Sequence, residues 1–152
     1  MPFHFAFDSA HGILYCQFSG ELTDKSVMEY YAAAKVHARN LRPQMGLLEF
    51  KDITSVEIST AALAFLAGSA PAFPDAAKPR IMVAPTDLVY GKCRAFEILG
   101  GGTRPSLYIV RTLEEAYGFL DVSNPHFVPV PDAPVSHQDI DHRPVAAGDE
   151  SR

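Results

Sequence analysis

The chain has 152 residues, 47% of them hydrophobic, and a formal net charge of −5. This composition fits one globular domain rather than wholesale disorder, and an acidic balance with no local Lys/Arg cluster speaks against a nucleic-acid or anionic-membrane partner. No apolar run reaches the roughly 20 residues that a membrane-spanning helix needs, which argues against membrane insertion. The start, Met1-Pro2-Phe3-His4, lacks the basic-then-apolar pattern of a secretory signal, so a cytoplasmic location is expected. Cys16 and Cys93 then read as free thiols, each a small buried hydrophobe in an apolar pattern.

Phe3, Phe5 and Phe7 alternate with His4, Ala6 and Asp8, the period of a strand with one buried face. After the turn at 9–12, residues 13–19 alternate again, with Leu14, Cys16 and Phe18 on one side. The two strands are close enough to form an antiparallel hairpin. Thr23 caps a helix over 24–41, whose Val27, Tyr31, Ala34, Ala38 and Leu41 form an inward stripe, and Pro43 marks its end. Residues 45–51 are almost continuously apolar, as expected of a strand buried on both faces. Ser59 and Thr60 open a second helix, to about residue 70. The run Ala61–Ala67 leaves it no polar side, so it is expected to be fully packed or covered by a partner.

Pro71, Pro74 and Pro79 punctuate the next loop, and residues 80–84 make another buried strand. Thr86 caps a third helix over 87–99, stopped by Gly100-Gly101-Gly102. Residues 106–110 are the last strand. Thr112 and Glu115 form a capping box that opens a final helix with Leu113, Ala116 and Leu120 inward. The order is β-β-α-β-α-β-α-β-α. Strands joined through helices run parallel with right-handed crossovers. The expected fold is therefore α/β, a mainly parallel sheet with one antiparallel N-terminal strand, in a domain over residues 1–122. Residues 123–152 hold five of the twelve prolines. Their acids (Asp132, Asp139, Asp141, Asp149, Glu150) outnumber Arg143 and Arg152, so this stretch reads as an extended tail.

Several local cues fit one family. Residues 13–20 end in Phe18-Ser19-Gly20, and Glu21-Leu22-Thr23 opens the first helix. Residues 47–52 end in Phe50-Lys51-Asp52. Ser59-Thr60 follows, then Tyr90-Gly91 with Arg94 and Phe96, then Glu114-Glu115-Ala116 with Phe119-Leu120. Over about residues 3–122 this pattern resembles the SpoIIAA-like and STAS superfamily, which includes anti-sigma-factor antagonists, and comes nearest to a bacterial subgroup of unassigned function. The resemblance implies a non-catalytic regulatory or protein-interaction module. It also implies a phosphorylated serine at the start of the second helix, which makes Ser59 and Thr60 the candidate phosphorylation sites. The run Ile58-Ser59-Thr60-Ala61 has the hydroxyls but lacks the Asp and Gly of the usual Asp-Ser-Ser-Gly-like sequence. A phosphate would bring about two negative charges to a helix N-terminus, where the dipole tolerates them. The plain alternative is that Ser59 only caps the helix, worth about 1 kcal/mol. In the regulatory reading the apolar second helix and its approach loop form the docking patch for a protein partner or for a second copy of the chain.

Tyr90, Arg94 and Glu97 lie at i, i+4 and i+7 of the third helix and are expected on one face. Arg94 beside Tyr90 could grip a carboxylate or phosphate with two prongs, or simply form a surface pair with Glu97. A pocket at the strand C-termini, closed by the 100–105 loop and read by Tyr90 and Arg94, would make the chain a small-molecule or lipid-binding domain. That alternative resembles, loosely, the CRAL-TRIO lipid carriers. The Gly100–Gly102 run follows a helix rather than a strand, so it is a helix stop and not a phosphate loop. His137, Asp139, Asp141 and His142 have ligand-type side chains but no second shell to orient them, and no metal site is assigned. Pro131 and Pro134 have the spacing of an extended recognition segment, and a linker or a clasp is the commoner use. His4, His11 and His37 have no partner visible in the sequence and none reads as a catalytic base. No Gly-x-Ser-x-Gly nucleophile turn occurs. The residues call for no catalytic set and no cofactor.

Overall fold

The computed structural model describes residues 2–131. Its elements are β1 (Phe3–Asp8), β2 (Ile13–Thr23), α1 (Asp24–Leu41), β3 (Met45–Glu57), α2 (Thr60–Gly68), β4 (Arg80–Val83), α3 (Asp87–Leu99), β5 (Leu107–Val110), α4 (Leu113–Leu120) and β6 (Val128–Pro129). They build one six-stranded sheet in the order β5-β4-β3-β2-β1-β6. Strands β2 to β5 run parallel, and β1 is antiparallel to both β2 and β6.

Hydroxyl caps set the four helix starts. Thr23, Ser59, Thr86 and Thr112 each accept a hydrogen bond from a backbone N–H in the first turn of the helix they precede. That removes one of the orphan donors at each N-terminus. The strand alternation then divides the interior. On one face Phe5, Leu14, Phe18, Leu48 and Phe50 pack under α1, α2 and α3. On the other, Ile13, Leu47, Ile81 and Val83 pack under Ala116 and Leu120 of α4.

Two strands run further than their apolar patterns predict. β3 continues to Glu57 and β2 to Thr23, paired all the way. The polar residues of Lys51–Glu57 hid this extension because that half of the ladder is largely exposed. An irregularity bends the pair. From Phe18 to Glu21 β2 advances three residues, while β3 advances five, from Phe50 to Ser55. Gly20, at φ +83°, and Asp52, at φ +53°, absorb the mismatch in left-handed backbone.

Helix α2 departs from expectation in the other direction. Leu63, Leu66 and Ala67 are buried, but Ala61, Ala64 and Phe65 are exposed. The chain itself therefore does not pack the helix all round, though alanines add little apolar surface and exposing them is cheap. The change of composition after Val122 also does not coincide with the end of packing. Val122 is buried, Phe127 stacks on Tyr15 at 4.7 Å between centroids, and Val130 donates its N–H to the Phe5 carbonyl at 2.9 Å. The ligand-type group His137, Asp139, Asp141 and His142, the tail acids from Asp132 on, and Pro134 lie outside the described residues. Among the described residues no helix is long and apolar enough to cross a membrane.

Candidate functional site

The face covered by α1, α2 and α3 is hollow. Its roof explains why. Helix α2 is nine residues long and mostly Ala and Gly, so only Leu63 and Leu66 reach inward over Leu48 and Met82. Two adjoining lobes result, each of about 100 Å³. They share Tyr30, Tyr31, Leu48, Met82, Phe96 and Arg104 as lining. The first lobe extends past the strand C-termini, to Leu22, Ile58 and Val89. The second lies over the strand starts, at Leu14, Gly46, Arg80 and Leu107.

Polar clasps hold α2 at both ends. At its N-terminus the Ser59 N–H donates to Asp24 Oδ1 and the Ser59 Oγ donates to Asp24 Oδ2, both at 2.7 Å, while Ala62 N–H donates to Ser59 Oγ at 3.0 Å. These two bonds from Ser59 hold the Asp24 carboxyl below the usual carboxylate range. At the C-terminus Arg104 Nη1 donates to the Ala67 carbonyl at 2.9 Å, and Nη2 donates to those of Leu66 and Ser69 at 3.1 Å. A cation at the last carbonyls of a helix satisfies orphan acceptors and the dipole together. The Tyr31 hydroxyl donates to the Ala70 carbonyl just beyond.

Arg80 is the anomaly of this interior. It is the first residue of β4, in register between Gly46 of β3 and Leu107 of β5. A Cβ on Gly46 would stand 2.8 Å from Phe73 Cζ and 3.1 Å from Arg80 Cγ. Glycine is therefore what lets the Phe73 ring and the arginine stem lie flat on the sheet. Arg80 is only 9% exposed, and its Nε and Nη2 have no hydrogen-bond partner among the described residues. Burial pushes the guanidinium pKa down and the charge of Arg104 adds to this, with Tyr30 acting the other way. A guanidinium remains charged in proteins even so. A buried cation with unmade hydrogen bonds is costly, and most such groups are satisfied.

Burial keeps several titratable groups around the hollow in their neutral forms. Burial pushes the Cys93 thiol up to about 12 and raises Cys16 further. The Tyr30 phenol is likewise raised by burial. Both cysteines are free and buried, as the sequence predicts. Among the described residues no group of three or more His, Cys, Asp or Glu side chains is placed to hold a metal ion.

The residues singled out by sequence fall as follows. Ser59 and Thr60 are exposed at the rim of the parallel layer. Across space, Asp24 places its carboxylate against the Ser59 hydroxyl. Arg94 turns outward and pairs with Glu97, its side chain 49% exposed. Tyr90 packs instead under the Arg111 guanidinium, 4.1 Å from the ring centroid. Tyr90, Arg94 and Glu97 do not line the hollow, whose α3 wall is Val89, Lys92, Cys93 and Phe96. Of the 100–105 loop, Arg104 reaches it. His11, which has no partner visible in the sequence, gains one in Asp8, with Nδ1 2.7 Å from Oδ2. His37 is buried against the Phe5 ring, at 4.6 Å.

Folding also gathers cations that the linear sequence keeps apart. Lys35, Arg39 and Arg42 of the end of α1 meet Lys78 around an open groove that also holds Asp75. Arg80 is the more telling omission. Residues 80–84 read as a buried strand, but nothing in that run singles out the arginine side chain, whose burial depends on a glycine in a different strand.

No family model, curated protein or solved structure matches the chain.

Proposed function

We propose that the chain is a non-catalytic small-molecule-binding domain of SpoIIAA-like architecture, with its ligand seated between the sheet and helices α1, α2 and α3. One observation carries the reading: a nearly all-apolar hollow lies under a helix too small to fill it, while the opposite sheet face buries its own apolar cluster beneath α4. Natural interiors are close-packed, and a void of this size is a sacrifice of stability. Ligand sites are concave and mostly apolar, with few polar groups. An engineered apolar cavity of about 150 Å³ stays dry and takes benzene. By that measure the two lobes hold on the order of eight carbons. Burying eight methylene-sized groups gives about 6 kcal/mol before the cost of ordering the ligand is taken off, so a neutral ligand of this size binds weakly.

The test is a thermal-shift titration with 1-octanol on the wild type and on Leu66→Phe, which places a ring from α2 into the first lobe. Octanol should raise the wild-type Tm in a saturable way. Leu66→Phe should start from an equal or higher Tm and lose the response. An absent or non-saturable response in the wild type would sink the reading.

A second reading rests on the rim. Ser59 and Thr60 are exposed beside Phe65, itself 50% exposed, and this favours α2 as the docking patch of a protein-interaction module with Ser59 as a phosphorylation switch. A phosphate there would meet the Asp24 carboxylate, and like charges would loosen the N-terminal clasp. Mass spectrometry after incubation with cognate extract and ATP decides it. Unmodified Ser59 and Thr60 across growth conditions would remove the switch.

A further inference from the structure

We infer that the ligand of this hollow is a monocarboxylic acid whose carboxylate pairs with Arg80 and whose apolar body lies over Leu48 and Met82. The inference rests on the small-molecule-binding reading and adds the chemical class.

The geometry of the unpaired atoms carries it. Nε and Nη2 form one edge of the guanidinium, and the Nε–H and one Nη2–H point out of that edge in parallel. This is the fork that a carboxylate fills with its two oxygens. Both nitrogens are fully buried and partnerless among the described residues, and Arg80 is one of the residues that line the second lobe. The charges that act on Arg80 are those of Arg104 and Tyr30, and neither neutralises it: Arg104 is a second cation, and Tyr30 is held neutral by burial. Arg104 already spends three bonds on the α2 carbonyls. Lys92, in the first lobe, donates to the Ile58 carbonyl at 3.4 Å. Arg80 is thus the cation in the lining whose Nε and Nη2 lack a partner among the described residues, and a carboxylate reaches them by displacing the atoms that now cover that edge.

The single charge of a carboxylate matches this single free fork. A phosphate would bring more negative charge and a third oxygen to a lobe whose other cation, Arg104, is engaged with the α2 carbonyls and whose remaining wall includes Phe5, Leu14, Phe73 and Leu107. Burying that excess charge is penalised. Polarity also sets the direction of binding. Arg80 lies at the strand starts, so the carboxylate sits in the second lobe and the tail runs toward α2 and the strand C-termini.

Isothermal titration of the full chain with octanoate, 1-octanol and octyl phosphate at neutral pH tests this. Octanoate should bind at least tenfold tighter than octanol, and octyl phosphate more weakly than octanoate. Arg80→Met keeps the stem and removes the fork, and it should bring octanoate to the affinity of octanol while leaving octanol unchanged. In the wild type, the Arg80 Nε–H NMR signal should shift with octanoate and stay put with octanol, which keeps the test decisive even where Arg80→Met does not fold. Equal binding of octanoate and octanol would overturn the carboxylate and leave the hollow as a neutral apolar site. A preference that survives Arg80→Met, or a tighter octyl phosphate, would also overturn it. Binding of none of the three would remove both this inference and the reading beneath it.

Discussion

The two faces of the sheet solve the same problem differently. Beneath α4 a single eight-residue helix covers Ile13, Leu47, Ile81 and Val83, and Ala116 and Leu120 close against them. Beneath α1, α2 and α3 far more helix covers the sheet, yet space remains and a guanidinium is buried in it. Cover and packing are thus separate quantities. What decides is side-chain volume at the contact: Leu113 and Leu120 complete α4, whereas the alanines of α2 leave their neighbours short of partners.

Truncation should separate the faces most. Ile13→Ala, on the α4 face and away from both lobes, is expected to cost about 3–4 kcal/mol in urea unfolding. Leu48→Ala removes the same number of carbons from a residue that already borders both lobes, and should cost about 2 kcal/mol because fewer contacts are lost. Equal costs would mean that the hollow closes in solution. Enlargement gives the converse. Ala116→Leu should destabilise by about 1–3 kcal/mol through overpacking, while Leu66→Phe should lose nothing. Thr112→Ala removes the box at the start of α4, in which Glu115 N–H donates to Thr112 Oγ1 at 3.1 Å. About 1 kcal/mol is expected, with helix α4 fraying first by hydrogen exchange.

The smallest effect is a pH dependence at the far edge of the sheet. Asp8 is 1% exposed, enclosed by its own turn. Burial raises its pKa, but the bonds from the His11 side chain and from the backbone N–H groups of His11 and His126 outweigh that and hold the carboxyl below its ordinary value. A depressed pKa contributes stability above the unfolded value of about 3.9 and loses it as pH falls through the folded one. Wild type should therefore shed a stability increment below about pH 4 that Asp8→Asn lacks. Parallel pH profiles for the two would contradict this.

Much of the frame was legible in the chain. Period-two runs placed β1 and β2, and the hydroxyls Thr23, Ser59, Thr86 and Thr112 marked all four helix starts, because those signals are local. Features made by long-range register were not legible. The half of β3 beyond Lys51 is polar and pairs because β2 beside it continues through Gly20. Strand β6 depends on Phe5 and Ala6 presenting a free edge. Arg94 attracted attention through its spacing from Tyr90, a helical regularity that any exposed face offers. Arg80 carried no such signal, since its burial follows from Gly46 lying opposite it and from Phe73 folding over both.

Methyl-detected NMR of the full chain during an octanoate titration addresses the asymmetry directly. The account predicts saturable shifts at Leu48, Leu66 and Met82, with Ile13, Val83 and Leu120 unmoved. Shifts spread evenly over both sets, or confined to the second, would contradict it.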